Sequence, residues 1–180
     1  MILLTAFKGN NNSSKILLDS ISGDNIRKKL LTNSFDACEQ EIIEAISIFQ
    51  PEYVISFGRK PVINRLYIEP AACNEGDCIR TNFDISVLEK SLLEHDLPYK
   101  VSSKLSNYLC NHAYYCGLRY IEKNTAETKM IFIHIPDMKN IQNMDSIISW
   151  LNDFCGGLNE FRNERADQQG LVERQKILCH

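Results

Sequence analysis

Three residues of this chain have the types and local contexts that nucleophilic catalysis requires. Cys110 lies just inside the start of a predicted helix, His134 lies near the end of an apolar strand, and Glu69 is a lone carboxylate in an apolar stretch. A thiol can attack an acyl carbon, an imidazole can carry the proton to the leaving amine, and a carboxylate can fix the imidazole tautomer. Taken singly, each residue also fits a structural role: a core cysteine, a satisfied histidine or a solvated edge glutamate.

The position of Cys110 favours a reactive thiol. A helix N-terminus carries partial positive charge and unpaired backbone N–H groups. Both are expected to lower the pKa of a thiol placed there. The same N–H groups could hold an oxyanion that develops during acyl transfer.

Strands and helices alternate along the chain, which predicts an α/β sandwich with a largely parallel central sheet. Ser13 or Ser14 is expected to cap the first helix, and Asp36 with Glu39 has the pattern of a capping box. The predicted strands cover 2–6, 26–31, 53–57, 62–73 (kinked near Pro70), 99–101 and 130–135. The predicted helices end at Ile21 and at Pro51 and cover 85–93, 108–121 and 144–154, the last stopped by Cys155-Gly156-Gly157.

The totals predict one globular domain over 1–158, followed by a charged helix or tail over 159–180. The chain has 180 residues, 44% of them hydrophobic, and a net charge of −3, which gives no general attraction to nucleic acid or to anionic membranes. The first apolar run is too short for a signal peptide or a membrane span, so a cytoplasmic location is expected. Seven cysteines at irregular spacing are then expected to be reduced thiols.

The motifs around these residues resemble the pyroglutamyl peptidase I (pyrrolidone-carboxylate peptidase) family over roughly residues 1–154. The two most specific segments are Ser106-Asn107…Leu109-Cys110-Asn111-His112 and Phe132-Ile133-His134-Ile135-Pro136. They look like the family's S-N…C-N-H segment and its F-I-H-I-P strand. Two further segments are similar: Val54-Ile55…Gly58 with Glu69-Pro70-Ala71-Ala72-Cys73-Asn74, and Thr5-Ala6-Phe7 with Asn12-Ser13-Ser14.

The resemblance implies a three-layer α/β/α fold and a cysteine peptidase that hydrolyses the amide bond after an N-terminal pyroglutamyl residue. It places Cys110 as nucleophile, His134 as base and Glu69 as the orienting carboxylate. It further implies a peptide substrate with a blocked N-terminus, a homo-oligomer (a tetramer or a dimer), and neither a metal nor another cofactor. The candidate substrate-binding residues are Phe7, Asn12 and Asn111.

The chain departs from the family pattern around the substrate. Lys8-Gly9 stands where the family has a second aromatic residue, and Pro70 replaces an arginine after the glutamate. Three alternatives therefore stay open: the same triad acting on another N-terminal acyl or lactam group, a non-catalytic relative that binds a peptide or partner, and a metal or redox site. The residues considered for that last site are Cys73, Cys78, Cys110, His112 and Cys116.

Overall fold

The computed structural model describes residues 1–103, 108–125 and 127–158. The predicted tail over 159–180 lies outside the described residues, as do Ser106 and Asn107 of the segment before Cys110. In the described part, no helix combines the length and the apolar composition needed to cross a membrane.

Eight strands and five α-helices alternate along the described chain. The strands are β1 Ile2–Phe7, β2 Ile26–Leu31, β3 Tyr53–Lys60, β4 Leu66–Glu69, β5 Ala71–Asn74, β6 Asp77–Arg80, β7 Tyr99–Val101 and β8 Lys129–Pro136. The helices are α1 Ser13–Ser20, α2 Phe35–Phe49, α3 Ile85–Glu94, α4 Leu109–Asn124 and α5 over 144–158, with a short 3₁₀ helix at Met138–Asn140.

Six strands form one sheet in the order β2-β1-β3-β8-β4-β7. Its pairings are parallel except between β4 and β8, which run antiparallel. Every residue of β1 is buried, as is every residue of β8 after Lys129. Such continuous apolar strands are typical of a sheet covered on both faces. The predicted, largely parallel central sheet is confirmed.

Helices cover both faces of this sheet, which confirms the three-layer α/β/α fold. On one face, apolar residues of α1, α3 and α5 pack against the sheet, including Leu17, Leu88 and Trp150. On the other face, α2 and α4 contribute a second core that includes Ile42 and Tyr114. The two faces of β1 and β8 divide their side chains between these cores, because successive strand residues point to opposite sides.

The helix starts differ from the predicted caps. Asn12, not Ser13 or Ser14, caps α1: its Oδ1 accepts a hydrogen bond from the Ser14 backbone N–H at 3.1 Å. Ser34 is the cap residue of α2, and Asp36 lies inside its first turn. Both errors are shifts of one or two residues, the usual uncertainty when several capping residues stand in a row.

The last helix continues through the predicted stop at Gly156 and Gly157. Trp150, Phe154 and Leu158 are buried on one side of α5 and pack on the sheet. Glycine costs a helix only about 1 kcal/mol relative to alanine. Burial of one large apolar side chain offsets that cost, so tertiary packing overrides the local signal.

The chain after β4 folds into a two-stranded hairpin, β5–β6, beside α4. Glu75 and Gly76 form its turn, both at positive φ, as a two-residue hairpin of the primed type requires. Cys73 and Cys78 face each other across the strands and form a disulfide. The expectation that all cysteines are reduced thiols is therefore wrong for this pair, because hairpin pairing brings them together in a way that spacing alone does not reveal.

Candidate active site

Glu69 and His134 are joined by a short hydrogen bond between neighbouring strands. The Glu69 Oε1 to His134 Nδ1 distance is 2.7 Å, and both side chains are buried. The antiparallel register places Glu69 opposite Phe132, so His134 is two residues along on the same face of the sheet. An ionised carboxylate can only accept, which makes Nδ1 the donor and leaves Nε2 as the acceptor of the neutral ring.

Lys60 approaches the same carboxylate oxygen from the end of β3. Its Nζ lies 3.8 Å from Glu69 Oε1 and 5.1 Å from the centre of the Tyr67 ring. The lysine therefore partly compensates the buried negative charge that the histidine also contacts. The sequence analysis assigned no role to Lys60, since no local signal links a strand end to a glutamate on another strand.

Cys110 is the second residue of α4, and its thiol lies over β3 at Gly58. A Cβ atom added at Gly58 would come within 2.7 Å of Cys110 Sγ and 2.9 Å of Phe132 Cζ. Gly58 is the register partner of His134 in the parallel β3–β8 ladder. The missing side chain thus allows the start of α4 to approach the strand pair that carries the histidine.

Cys110, His134 and Glu69 line one small pocket at this place. Its other lining residues are Ala71, Asn111, Tyr114 and Phe132. The Phe132 ring lies 5.0 Å from the His134 ring, between centres, and forms an apolar wall. The structure therefore brings together the three residues that the sequence analysis selected for catalysis.

The thiol of Cys110 is held in its neutral form. Burial raises its pKa to about 12, with the negative charges of its surroundings adding to the shift. Its own backbone N–H at the helix start acts in the opposite direction but does not prevail. The expectation that the helix N-terminus lowers this pKa is therefore wrong for the unliganded protein, because removal from water outweighs the helix dipole.

Asn111 uses its whole amide group to hold the hairpin. Its Oδ1 accepts from the Cys73 backbone N–H at 3.0 Å, and its Nδ2 donates to the Cys73 carbonyl at 2.6 Å. These two hydrogen bonds tie strand β5 of the hairpin to α4 at the residue that follows Cys110. Asn111 thereby positions one wall of the pocket.

The comparisons with known proteins agree with this geometry. The family model described as Pyroglutamyl peptidase matches residues 80–148, a range that contains Cys110 and His134. A pyrrolidone-carboxylate peptidase 1 from Caldanaerobacter subterraneus is 30% identical over 165 residues, covering 75% of this chain and 81% of the relative. This chain belongs to the pyroglutamyl peptidase family.

Other members of the pyroglutamyl peptidase family match more of the chain. The pyrrolidone-carboxylate peptidase of Thermosipho melanesiensis is 28% identical over 195 residues, covering 87% of this chain and 94% of that relative. The crystal structure of pyroglutamyl peptidase I from Bacillus amyloliquefaciens has a TM-score of 0.75 at 20% identity, covering 85% of this chain and 93% of that one. The pyrrolidone carboxyl peptidase of Thermococcus litoralis gives the same TM-score at 17% identity, covering 91% and 95%. These two structures support the fold.

Two predicted substrate contacts lie outside the pocket as the described residues form it. Phe7 is 5% exposed and packs in the core beneath α2 and α4. Asn12 caps α1 through Oδ1 and donates from Nδ2 to the Phe7 carbonyl at 3.0 Å. Contact of either residue with substrate remains a prediction. Gly58 belongs to one of the segments that resemble the family, but nothing in the sequence indicates that it lies close to the Cys110 thiol.

Proposed function

We propose that this chain is a cysteine peptidase that hydrolyses the amide bond after an N-terminal pyroglutamyl residue. The observation that supports it most is the Glu69–His134 hydrogen bond in a pocket that Cys110 also lines. Membership of the pyroglutamyl peptidase family supplies the substrate class. In this proposal Cys110 is the nucleophile, His134 the base and then the acid, and Glu69 the orienting carboxylate.

The hydrogen bonding of His134 dictates the order of proton transfers. The Nδ1–H group of His134 donates a hydrogen bond to Glu69, so the lone pair of Nε2 is available. Nε2 takes the proton of the Cys110 thiol as Sγ attacks the pyroglutamyl carbonyl carbon. The imidazolium then gives this proton to the leaving amine as the C–N bond breaks, which leaves a thioester. Water attacks the thioester with the same base, releasing free pyroglutamate and restoring the thiol.

The raised pKa of Cys110 makes the base essential to this mechanism. With a pKa of about 12, the thiol is almost wholly protonated at neutral pH. In this proposal, proton transfer to His134 accompanies the attack of the thiol. The backbone N–H groups at the start of α4 are positioned to stabilise the oxyanion that forms on the carbonyl oxygen.

A peptide amidase assay on the purified full chain tests this function. We expect turnover of a pyroglutamyl aminocoumarin amide and none of the matching glutamyl amide, whose N-terminus is free. Cys110→Ala should abolish turnover, whereas Cys155→Ser, which changes a buried free thiol in the opposite core, should retain it. Absence of turnover by the unmodified protein, or turnover that survives Cys110→Ala, would contradict the proposal.

A second candidate keeps the triad and changes the acyl group. It is favoured by one observation: neither Phe7 nor Asn12 is among the described residues that line the pocket. Selective alkylation of Cys110 by iodoacetamide, together with failure on pyroglutamyl amides and turnover of another blocked N-terminus, is the result this candidate requires.

The proposal includes the assembly of the protein and its location in the cell. The resemblance to the family underlies a homo-oligomer, which light scattering on the purified protein tests. We also propose the cytoplasmic location expected from the sequence, with which the Cys73–Cys78 disulfide fits poorly, because disulfides are rare in that compartment. Mass spectrometry of alkylated protein from unbroken cells would show whether this pair is oxidised there.

A further inference from the structure

A second group of reactive side chains lies between α2 and α4, apart from the pocket. Glu39 extends from α2, and His112 and Cys116 extend from α4. His112 Nε2 lies 3.2 Å from Glu39 Oε2 and 3.6 Å from Cys116 Sγ. The three ligand atoms lie within 4.8 Å of one another. We call these three residues the α2–α4 cluster.

The contacts in the cluster do not form a proton relay. In a catalytic triad the thiol and the carboxylate use different ring nitrogens. Here Cys116 and Glu39 both approach Nε2 of His112. A neutral imidazole nitrogen has either one proton or one lone pair, so it cannot serve both neighbours well. Three ligand atoms of these types, all within 4.8 Å of one another, are instead compatible with a metal site.

The distances agree with tetrahedral zinc. Zn²⁺ bonds of ~2.3 Å to sulfur and ~2.0 Å to nitrogen or oxygen, at tetrahedral angles, separate sulfur from nitrogen by about 3.5 Å and nitrogen from oxygen by about 3.3 Å. The observed separations are 3.6 and 3.2 Å. The sulfur of Cys116 and the ligand oxygen of Glu39 lie within 4.8 Å of each other, and the Glu39 side chain is 46% exposed, so it can adjust when an ion binds.

The helices hold two of the ligands in place. His112 and Cys116 are four residues apart on α4, a spacing that puts both side chains on one face. The His112 ring packs edge-on against Phe35, with 5.1 Å between ring centres. Cys116 is buried at the inner side of the cluster, whereas Glu39 faces solvent. An ion can therefore enter beside Glu39 and reach a sulfur that water does not surround.

We propose that the α2–α4 cluster binds one Zn²⁺ through Glu39, His112 and Cys116, with water as the fourth ligand. Binding displaces the thiol proton of Cys116 to solvent, so that the sulfur coordinates as thiolate. The ion links α2 to α4 and stabilises the folded chain in proportion to its free concentration. The sequence analysis counted His112 and Cys116 among the residues of an alternative metal site but did not include Glu39, because this carboxylate comes from another helix.

The test is zinc and cobalt binding by the full chain after treatment with a chelator and its removal. We expect about one Zn²⁺ per chain after dialysis, a melting temperature that rises with added Zn²⁺, and a cobalt–thiolate charge-transfer band with Co²⁺. Because loss of a hydrogen-bond partner of a metal ligand alone costs ~10–100-fold in affinity, Glu39→Gln and His112→Gln should weaken Zn²⁺ binding by roughly tenfold or more.

Two controls separate this site from other zinc sites. Glu44→Gln removes an exposed carboxylate from the same helix, beyond the cluster, and should bind zinc like the unmodified protein. Cys110→Ala removes the thiol of the pocket, which could itself bind zinc together with His134, and should also leave the binding unchanged. Cys116→Ser alters the core, so Glu39→Gln and His112→Gln, checked by circular dichroism for folding, carry the test.

The proposal is overturned if the chelator-treated chain takes up no stoichiometric zinc. It is equally overturned if zinc binding disappears in Cys110→Ala while Glu39→Gln and His112→Gln retain it, since the ion would then occupy the pocket. A cobalt complex without a thiolate band would exclude Cys116 as a ligand and has the same consequence. None of these outcomes depends on peptidase activity.

Discussion

Glu69 and His134 lie on adjacent antiparallel strands, and 2.7 Å separates the carboxylate oxygen from the ring nitrogen that it orients. Their side chains share one face of the sheet because Glu69 pairs with Phe132, two residues before the histidine. The bond is buried, so it is not weakened by competition with bulk water.

Replacing Glu69 by glutamine should reduce kcat/KM for a pyroglutamyl amide on the order of 10³-fold. The amide is neutral and does not stabilise the imidazolium that forms during attack, and it can turn its NH₂ group toward Nδ1 and favour the wrong tautomer. Steady-state kinetics with Glu122→Gln, an exposed carboxylate on α4, as the control measure the effect. Unchanged kcat/KM in a folded Glu69→Gln protein would remove Glu69 from the mechanism.

Gly58→Ala should impair both folding and activity. The new methyl group would lie 2.7 Å from Cys110 Sγ and 2.9 Å from Phe132 Cζ, and the buried phenylalanine ring has little room to move. Overpacking of this kind costs ~1–3 kcal/mol of unfolding free energy. Denaturant unfolding and amidase assays measure the two effects.

The matched control for that substitution is Gly156→Ala in α5, where nothing lies within 4 Å of the added methyl. It should stabilise the protein by ~0.5–1 kcal/mol, as expected for alanine in place of glycine inside a helix. If both substitutions change the unfolding free energy and the activity equally little, then the position of the Cys110 thiol does not require a glycine at residue 58.

Asn111→Ala should lower stability, because two hydrogen bonds to the Cys73 main chain are lost. At ~0.5–1.5 kcal/mol for each bond, the expected loss is about 1–3 kcal/mol. Asn152→Ala, which removes a single exposed side-chain bond to the Ile148 carbonyl, should cost less. A rise in KM with stability unchanged would instead indicate that Asn111 contacts substrate, as the sequence analysis predicted.

His95→Gln should destabilise the protein in acid more than in base. Hydrogen bonds to the Ser91 carbonyl and to Asp153 raise the pKa of His95 above its usual 6.5. The stabilisation from a raised pKa is complete below the unfolded-state value and is lost as the pH rises through the folded-state value. Melting temperatures of both proteins at pH 5.5 and pH 8.5 measure it; a larger difference at pH 8.5 would contradict the assignment.

The residue pattern predicted the α/β alternation and three candidate catalytic residues, and the resemblance to the family implied the three layers, but neither revealed the environment of the thiol. Strands β1 and β8 consist mostly of apolar residues, so their burial between two layers follows from composition. The pKa of Cys110 depends on its removal from water, which is set where Gly58 of β3 and Phe132 of β8 come beside α4. No local pattern around residue 110 contains that information.

Contacts distant in sequence explain the other differences as well. The Cys73–Cys78 disulfide needs the turn at Glu75-Gly76, and the zinc ligand set needs α2 beside α4. In both cases the residue types were visible in the sequence. The sequence did not reveal which of these residues lie together, because the packing of strands and helices determines that.

The register of β4 against β8 makes the number of residues in β4 a chemical constraint. Side chains of a strand alternate between the faces of a sheet, so a deletion of one residue between Leu66 and Glu69 would turn the carboxylate toward α3 and α5. The strand could keep its hydrogen bonds to β8 and β7 and the sheet could remain intact. A chain shortened in this way would retain the architecture and lose the proposed acid, so the number of residues in β4 matters to the chemistry even where the fold tolerates a change.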